Sequence, residues 1–405
     1  MRTSRTCSPA TKGSEHWLGR CYNWRFVLGI IATIMSFSLM SWNSTNSASA
    51  HSITVPPARN GGPFYATMSL YMRTYDGDKC RTEGAAQGDR STYNSANYSP
   101  SIARPYDGAV VLDFGRPAYK DGIFQTVLFD NSPAVYAMPA QIINCVEQYA
   151  WGFYFHTPPL ANDPPHLRIL IGTSNAYLDS TSNNIANKTD AYGHGNMWAG
   201  LTNKVSDYVA SNSGLAQQIT VGAAMDIETS WSKHGGTNGV DRWYQGYNER
   251  PAQHTIYNYG DAGGCPVNTN TAFCDVAPLA DTYQYPGDWY QSSILWLSGQ
   301  GPWTRAIPEI YTPDGVQATQ WQQIALYGYL YTSNHVRPYF YGEMTQYNSC
   351  GSCENTPQHG WTQLQDRLLN NDPIGGHPST CTAPPSCHRT DADIYHSTDI
   401  GWSVK

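Results

Sequence analysis

Short apolar runs alternate with segments of helical periodicity through most of this chain. Seven runs between positions 109 and 345 have the length and composition of buried strands, and Ala66–Arg73 offers an eighth. Such alternation over ~260 residues predicts an α/β fold, a (β/α)8 barrel of the TIM type. A doubly wound open sheet is the rival. It would usually carry a glycine-rich phosphate turn after the first strand, and Asp113–Pro117 is not one.

The predicted elements follow one another in chain order. The strands are Ala109–Phe114, Leu167–Gly172, the strand ending in Asp226-Ile227-Glu228, His254–Tyr259, Ser292–Leu297, Ala306–Tyr311 and Arg337–Tyr341. The helices are Ala140–Phe155, Asn196–Ser211, Asp241–Asn248, Ala318–Leu330 and Trp361–Leu369. The predicted organisation is a signal peptide at 1–50, an N-terminal extension at 51–108, the barrel at 109–370, and a cysteine-containing, loop-rich tail stapled by disulfides at 371–405.

The first 50 residues have the pattern of a secretory signal. Basic residues precede the apolar run Phe26–Met35, and Ala48-Ser49-Ala50 provides a small-residue cleavage site before His51. An uncleaved membrane anchor is the alternative, but an apolar run of 10 residues is shorter than the ~20 that a bilayer span requires. The sequence therefore predicts a secreted, extracellular protein with no stable membrane association after cleavage.

Composition and charge limit the classes of molecule that the protein is expected to bind. The formal net charge is −7, and removal of the basic leader makes the chain more acidic, so the sequence lacks the basic surface of a nucleic-acid-binding protein. Tyrosine (29) and tryptophan (13) are abundant, which suits either ring surfaces that contact neutral polymers or an aromatic core. The expected partner is a polysaccharide or peptidoglycan-type substrate. No feature indicates an oligomeric state.

The ten cysteines indicate disulfides. Two of them, Cys7 and Cys21, lie in the leader, and the remaining eight are an even number in an exported chain. Proximity suggests the pairs Cys80–Cys145, Cys265–Cys274, Cys350–Cys353 and Cys381–Cys387. A zinc site built from the C-terminal cysteines and His388 is the alternative, but export and the ligand spacing argue against it. We expect no metal and no other cofactor.

Acidic residues recur where the predicted strands end. Asp226 and Glu228 are two apart on one strand and so project to the same face, and Asp113 ends the first barrel strand. The carboxyl ends of barrel strands meet at one mouth, so these acids should converge there with Asp261, Glu309 and Glu343. Close carboxylates raise each other's pKa, and glycoside hydrolysis uses such a pair. Alternatively, the acids cap helices or pair with arginines: Arg116, Arg242, Arg305 and Arg337.

A first strand ending in Asp, with a later strand ending in Asp-x-Glu, resembles the family 25 glycoside hydrolases, which are secreted lysozyme-type muramidases with a (β/α) barrel. The residues that carry the resemblance are Asp113, Asp226 and Glu228. The resemblance implies that Glu228 is the general acid, with Asp226 and Asp113 as assisting carboxylates. It covers about a dozen residues, and the chain is longer than that family's domain.

Aromatic and polar residues close to the predicted strand ends are candidates for substrate binding, because rings stack on sugars and polar groups supply directional hydrogen bonds. The preferred hypothesis is a secreted glycoside hydrolase that uses carboxylate acid/base catalysis. A non-catalytic carbohydrate- or cell-surface-binding barrel is the alternative, and a structural extracellular protein is a third. The candidate substrate-binding residues are Trp231, Tyr257, Asn258, Trp296, Glu309, Tyr311, Tyr341 and Glu343.

Overall fold

A computed structural model describes most of the chain from residue 66 onward. The described residues are 66–96, 107–157, 164–179, 189–229, 236–251, 254–262, 289–301, 303–333, 336, 338–349, 355–369, 394 and 396–405. The predicted signal peptide, its cleavage site and Trp231 lie outside these ranges.

Eight parallel strands form the central sheet, in the order β6-β5-β4-β3-β2-β1-β8-β7. This is chain order around a ring, with its one break between β6 and β7. Two single parallel bridges, Ala306 to Phe340 and Glu309 to Met344, join the segments at that break, so the barrel is nearly closed. The strands are β1 (Thr67–Tyr71), β2 (Asp107–Asp113), β3 (His166–Ser174), β4 (Ile219–Asp226), β5 (Ile256–Asn258), β6 (Thr304–Ala306), β7 (Gly342–Thr345) and β8 (His396–Trp402).

Helices lie between consecutive barrel strands and give the predicted TIM-like arrangement. They are α1 (Gly77–Ala96), α2 (Pro139–His156), α3 (Ala191–Ser211), α4 (Ser213–Gln218), α5 (Thr237–Asn248), α6 (Gln291–Leu295), which continues as a π-helix at Trp296–Gln300, α7 (Val316–Tyr331) and α8 (Pro357–Leu369). Two small sheets decorate the barrel: antiparallel strands Arg116–Lys120, Ile123–Val127 and Tyr136–Ala137, and a parallel pair, Leu178–Asp179 and Thr189–Asp190. None of the described helices is long and apolar enough to cross a membrane.

Two apolar layers follow from the alternation of side chains along each strand. One layer packs between the strands and the helices, and a smaller one fills the barrel, where Val111, Leu170 and Ile400 meet tyrosine rings. The small residues of β4 leave room for a neighbouring ring: a Cβ at Gly222 would lie 3.3 Å from Cε2 of Tyr257 and 3.0 Å from Cδ2 of Leu170. The small-residue face of β4 therefore points into the barrel.

The predicted Cys80–Cys145 disulfide is confirmed, and it ties α1 to α2. These helices pack closely because glycines lie at their contact. A Cβ at Gly84 would stand 2.0 Å from the carbonyl oxygen of Tyr149, too close for any other residue. The other six cysteines outside the leader, including those of the predicted C-terminal staples, lie outside the described residues.

Two features of the barrel differ from the sequence prediction. Ser292–Leu297 was expected to be a strand, which is wrong: it forms α6 and the start of the π-helix, with Ile294, Leu295 and Leu297 buried. A short apolar run alone does not distinguish a buried strand from a buried helix. The ring is completed by β1, which forms within Ala66–Arg73, the segment offered as an eighth strand, and by β8, which follows the last predicted strand. The β8 sequence, HSTDIGW, is too polar to read as a core strand.

Candidate active site

Five carboxylates collect at the carboxyl ends of the strands. Asp113 ends β2, Asp226 ends β4, Glu228 follows two residues later, and Asp261 and Glu309 follow β5 and β6. Oxygens of Asp226, Glu228 and Glu309 all lie within 4.8 Å of one another. Asp113 is paired in register with Gly172 of β3. Asp226 is paired with Ser174, two residues closer to the carboxyl end of the same strand. Asp113 therefore lies deeper in the barrel than Asp226. The predicted convergence of Asp113, Asp226, Glu228 and Glu309 is therefore present.

Asn175, the residue after β3, holds the backbone of Glu228. Its Oδ1 accepts a hydrogen bond from the Glu228 N–H at 3.1 Å, and its Nδ2 donates to the Glu228 carbonyl oxygen at 3.1 Å. Asn175 is fully buried, so the pair of bonds fixes the chain where it leaves β4. The sequence analysis missed this residue. The available signal was its position directly after a barrel strand.

Two tyrosines connect Glu309 to the opposite wall of the mouth. The Tyr311 hydroxyl donates to Oε1 of Glu309 at 2.7 Å, and it lies 3.4 Å from the hydroxyl of Tyr71, the last residue of β1. Gln346 donates to the Tyr71 hydroxyl at 3.0 Å. Tyr311 thus occupies the predicted site, whereas Tyr71 was missed because β1 was assigned to an extension.

Burial and like charge raise the pKa of each acid in this cluster. Burial first, then the charges of Glu228, Asp113 and Asp261, holds the pKa of Asp226 well above its usual range. Burial and the neighbouring acids also raise the pKa of Glu309, although the hydrogen bond from Tyr311 acts in the opposite direction. Burial and Asp261 raise the pKa of Glu228 to about 8. The cluster therefore retains protons at neutral pH.

Asp113 and Asp226 each have a carboxylate oxygen without a hydrogen-bond partner among the described residues. Asp226 is 6 % exposed, and its Oδ1 is buried without a hydrogen-bond partner in the described part of the chain. Asp113 is fully buried: Oδ1 accepts the Gly115 N–H at 2.8 Å, while Oδ2 is buried without a partner in the described part of the chain. Burial raises the pKa of Asp113 to about 7, against the opposing effects of Gly115 and the Tyr259 hydroxyl.

Arginine pairing does not explain this cluster. The Arg116 guanidinium lies 4.2 Å from the centroid of the Tyr177 ring, and Arg242 donates to Gln245. Arg305 donates to the carbonyl oxygen of Thr304. The fourth candidate, Arg337, lies outside the described residues. The expected alternative of acid–arginine pairs is therefore not found for these three arginines.

Two predicted substrate-binding tyrosines lie inside the barrel but at the other end. Arg168, near the start of β3, donates to the Tyr257 hydroxyl, and its guanidinium lies 5.0 Å from the Tyr341 ring centroid. The two rings meet edge to face with centroids 5.0 Å apart. Their expected place at the mouth is corrected: side chains on the inward face of a strand fill the barrel along its whole length, and these two point toward the amino ends.

Three further candidates face away from the mouth. Asn258 points outward, donating to Oγ of Ser298 at 3.2 Å and accepting from the Gly260 N–H at 3.0 Å. Trp296 meets Tyr244 edge to face at 5.3 Å and lines an open groove of about 720 Å³ between α5 and α6. Glu343 accepts a hydrogen bond from Ser397 and faces α8, where a Cβ at Gly360 would lie 3.2 Å from its Oε2. Their predicted contact with substrate at the mouth does not fit these positions.

Comparison with family models, curated proteins and solved structures finds no match for this chain. The resemblance to family 25 glycoside hydrolases therefore stays a prediction that depends on Asp113, Asp226 and Glu228 alone.

Proposed function

We propose that this protein is a secreted glycoside hydrolase that acts on an extracellular or cell-wall polysaccharide, with Glu228 as its general acid. The observation that carries the proposal is the cluster itself. Asp226, Glu228 and Glu309 bring carboxylate oxygens within 4.8 Å of one another where barrel enzymes place their chemistry. Glu228 is the most accessible of the three, and a pKa of about 8 keeps it protonated at neutral pH.

The role of proton donor suits Glu228 because its acidic proton has to reach the glycosidic oxygen of a bound sugar. Asn175 fixes its backbone, which limits the positions that the carboxyl group samples. Protonation of the leaving oxygen weakens the bond to the anomeric carbon, and the departing alcohol takes the proton. Glu228 is then a carboxylate that can accept a proton from water in a second step.

A second carboxylate must meet the positive charge that develops at the anomeric carbon. Glu309 is the better candidate, because the hydrogen bond from Tyr311 orients Oε1 and opposes the burial that raises the pKa of Glu309. Separations of ~5 Å between the two carboxyl groups accompany a covalent glycosyl-enzyme, whereas ~6.5–9.5 Å leaves room for an attacking water. Oxygens of Glu228 and Glu309 lie within 4.8 Å of each other, and the separation of their carboxyl groups decides between the two courses. Asp226 and Asp113 are then the assisting carboxylates.

The test compares wild-type protein with Glu228→Gln on peptidoglycan, chitin and plant polysaccharides, with released reducing ends as the readout. Glu343→Gln is the matched control, since it makes the same change in a buried acid that faces α8. We expect wild type and Glu343→Gln to cleave one of these polymers and Glu228→Gln to lose at least 100-fold in rate. Equal rates in all three proteins would overturn the role of Glu228.

The same variants distinguish catalysis from the two other hypotheses. A non-catalytic binding barrel would pull down the polymer without releasing sugar in either form. A structural role through a buried ion pair would make Glu228→Gln melt at a lower temperature than wild type. Because no described cation contributes to the Glu228 pKa, we expect an unchanged or higher melting temperature.

A further inference from the structure

The three clustered carboxylates have a geometry that is not explained by acid catalysis alone. Oxygens from Asp226, Glu228 and Glu309 converge from two different strands to within 4.8 Å of one another, so they surround a common point. Hard oxygen donors of this kind are the ligands that calcium and magnesium take in proteins. Glu228 is hydrogen-bonded to Glu309 and to Asp261, whereas Oδ1 of Asp226 has no partner among the described residues.

A second observation points to a missing ligand. Asp226 is 94 % buried, yet its Oδ1 is buried without a hydrogen-bond partner in the described part of the chain. Buried carboxylates are ordinarily satisfied by donors or bound ions, because an unpaired one is costly. One of the Asp226 oxygens lies in the convergent set, so the side chain is directed toward the other two acids.

The spacing selects for ion size. Calcium binds oxygen at ~2.3–2.6 Å, so ligands on opposite sides of the ion lie up to ~5 Å apart. Magnesium binds at ~2.0–2.1 Å, which limits that separation to ~4.2 Å. The three oxygens lie within 4.8 Å of one another, inside the ~5 Å that calcium spans, and acids held on two strands suit the flexible coordination of calcium better than the near-ideal octahedron that magnesium demands. We expect water molecules to complete a shell of six to eight oxygens, beside Asp261, whose charge acts on all three acids.

We propose that Asp226, Glu228 and Glu309 form a binding site for a divalent cation of calcium size, and that the bound cation excludes the sugar and blocks hydrolysis. The sequence analysis expected no metal here, although it brought Glu309 to the same mouth as the acidic pair 81 positions earlier in the chain. The inhibitory part depends on the proposed function. The binding part does not, because it follows from the positions of the three oxygens.

Binding is tested on the mature, disulfide-intact protein after EDTA treatment and buffer exchange. Calcium chloride and magnesium chloride are titrated in parallel by calorimetry. We expect one calcium per chain with Kd in the ~10⁻⁴–10⁻³ M range of extracellular sites, and magnesium at least tenfold weaker. Asp226→Asn and Glu309→Gln should each weaken calcium binding at least tenfold, and Glu343→Gln should not. The site is overturned if binding does not saturate at a calcium concentration ten times that Kd. It is also overturned if wild type and the three variants bind calcium with equal affinity.

Terbium provides a readout that does not depend on variants that fold. It is a luminescent ion of calcium's size, and the Tyr311 ring lies beside Glu309, close enough to transfer excitation energy to it. We expect tyrosine-sensitised terbium emission that calcium displaces with the calorimetric Kd. Emission that calcium leaves unchanged would contradict the site.

Activity separates the two proposals. If calcium binds and inhibits cleavage with a midpoint equal to its Kd, both parts hold. Calcium binding with unaffected or increased cleavage refutes the inhibitory part. Calcium binding by a protein that cleaves no polymer supports the site and counts against the hydrolase, and cleavage without calcium binding does the reverse.

Discussion

Replacing Asp113 by asparagine tests whether the mouth acids are held protonated by burial. Asp113 is fully buried, and burial raises its pKa from 3.8 to about 7. A carboxyl group whose pKa is higher in the folded protein binds its proton more tightly there than in the unfolded chain. It contributes stability that is complete below pH ~4 and is lost as the pH rises through about 7.

The magnitude follows from the size of the shift. About three pH units at ~1.4 kcal/mol each give ~4 kcal/mol for the full effect, of which ~3 kcal/mol falls between pH 4.5 and pH 8. Asparagine has nearly the same shape and no charge, so Asp113→Asn removes this dependence. Its unfolding free energy, relative to wild type, should therefore increase by ~3 kcal/mol between the two pH values.

Equilibrium urea unfolding at pH 4.5 and pH 8, with the disulfides intact, measures how the difference in unfolding free energy between Asp113→Asn and wild type changes with pH. Asp399→Asn is the contrasting variant. Asp399 is also buried, but it accepts hydrogen bonds from the Thr345 hydroxyl, the Tyr347 N–H and Asn348, so its replacement should destabilise the protein at both pH values. A difference between Asp113→Asn and wild type that does not change with pH would refute the claim that Asp113 ionises in this window.

Three further outcomes are expected. In EDTA, kcat/KM should fall tenfold per pH unit above pH ~8 as Glu228 loses its proton, since its pKa is about 8. A pH–rate profile in which kcat/KM already falls at pH 5 would contradict this. Asn175→Ala should lower the unfolding free energy by ~1–3 kcal/mol through two lost hydrogen bonds, with reduced cleavage, as denaturation and rate measurements will show. Cys80→Ala/Cys145→Ala should cost ~2–5 kcal/mol in non-reducing urea melts, because the bridge closes a loop across 65 positions.

The convergence of acids could be predicted because it depends on few features of the sequence. Period-2 alternation puts Asp226 and Glu228 on the same face, and parallel strands in a barrel bring their carboxyl ends to one rim. These two rules were enough to gather Asp113 and Glu309 with the pair although the strands are far apart in the chain. The assignment of Glu309 as a substrate ligand underestimated how close it comes to Glu228.

Other candidate residues were placed wrongly because the sequence does not specify which face of a strand points into the barrel, or how deep in the barrel a side chain lies. Asn258 lies between Tyr257 and Tyr259, which both point into the barrel, so it must point outward. Periodicity shows which residues share a face but does not say which face is inside when both are apolar or aromatic. The depth of Tyr257 depends on its register, opposite Ala224, which no local pattern specifies.

The distribution of charge inside the barrel connects its stability to its proposed chemistry. An arginine or lysine beside Glu228 would stabilise the acids but lower their pKa values, and the proton donor would be lost at neutral pH. The described interior cation, Arg168, lies instead at the amino ends of the strands, where it binds Tyr257. Acids without a cationic partner cost folding free energy, which the two apolar layers and the Cys80–Cys145 bridge offset. Removing charge at the mouth should therefore stabilise the fold and weaken the activity together, a combination that acids serving only a structural role would not produce.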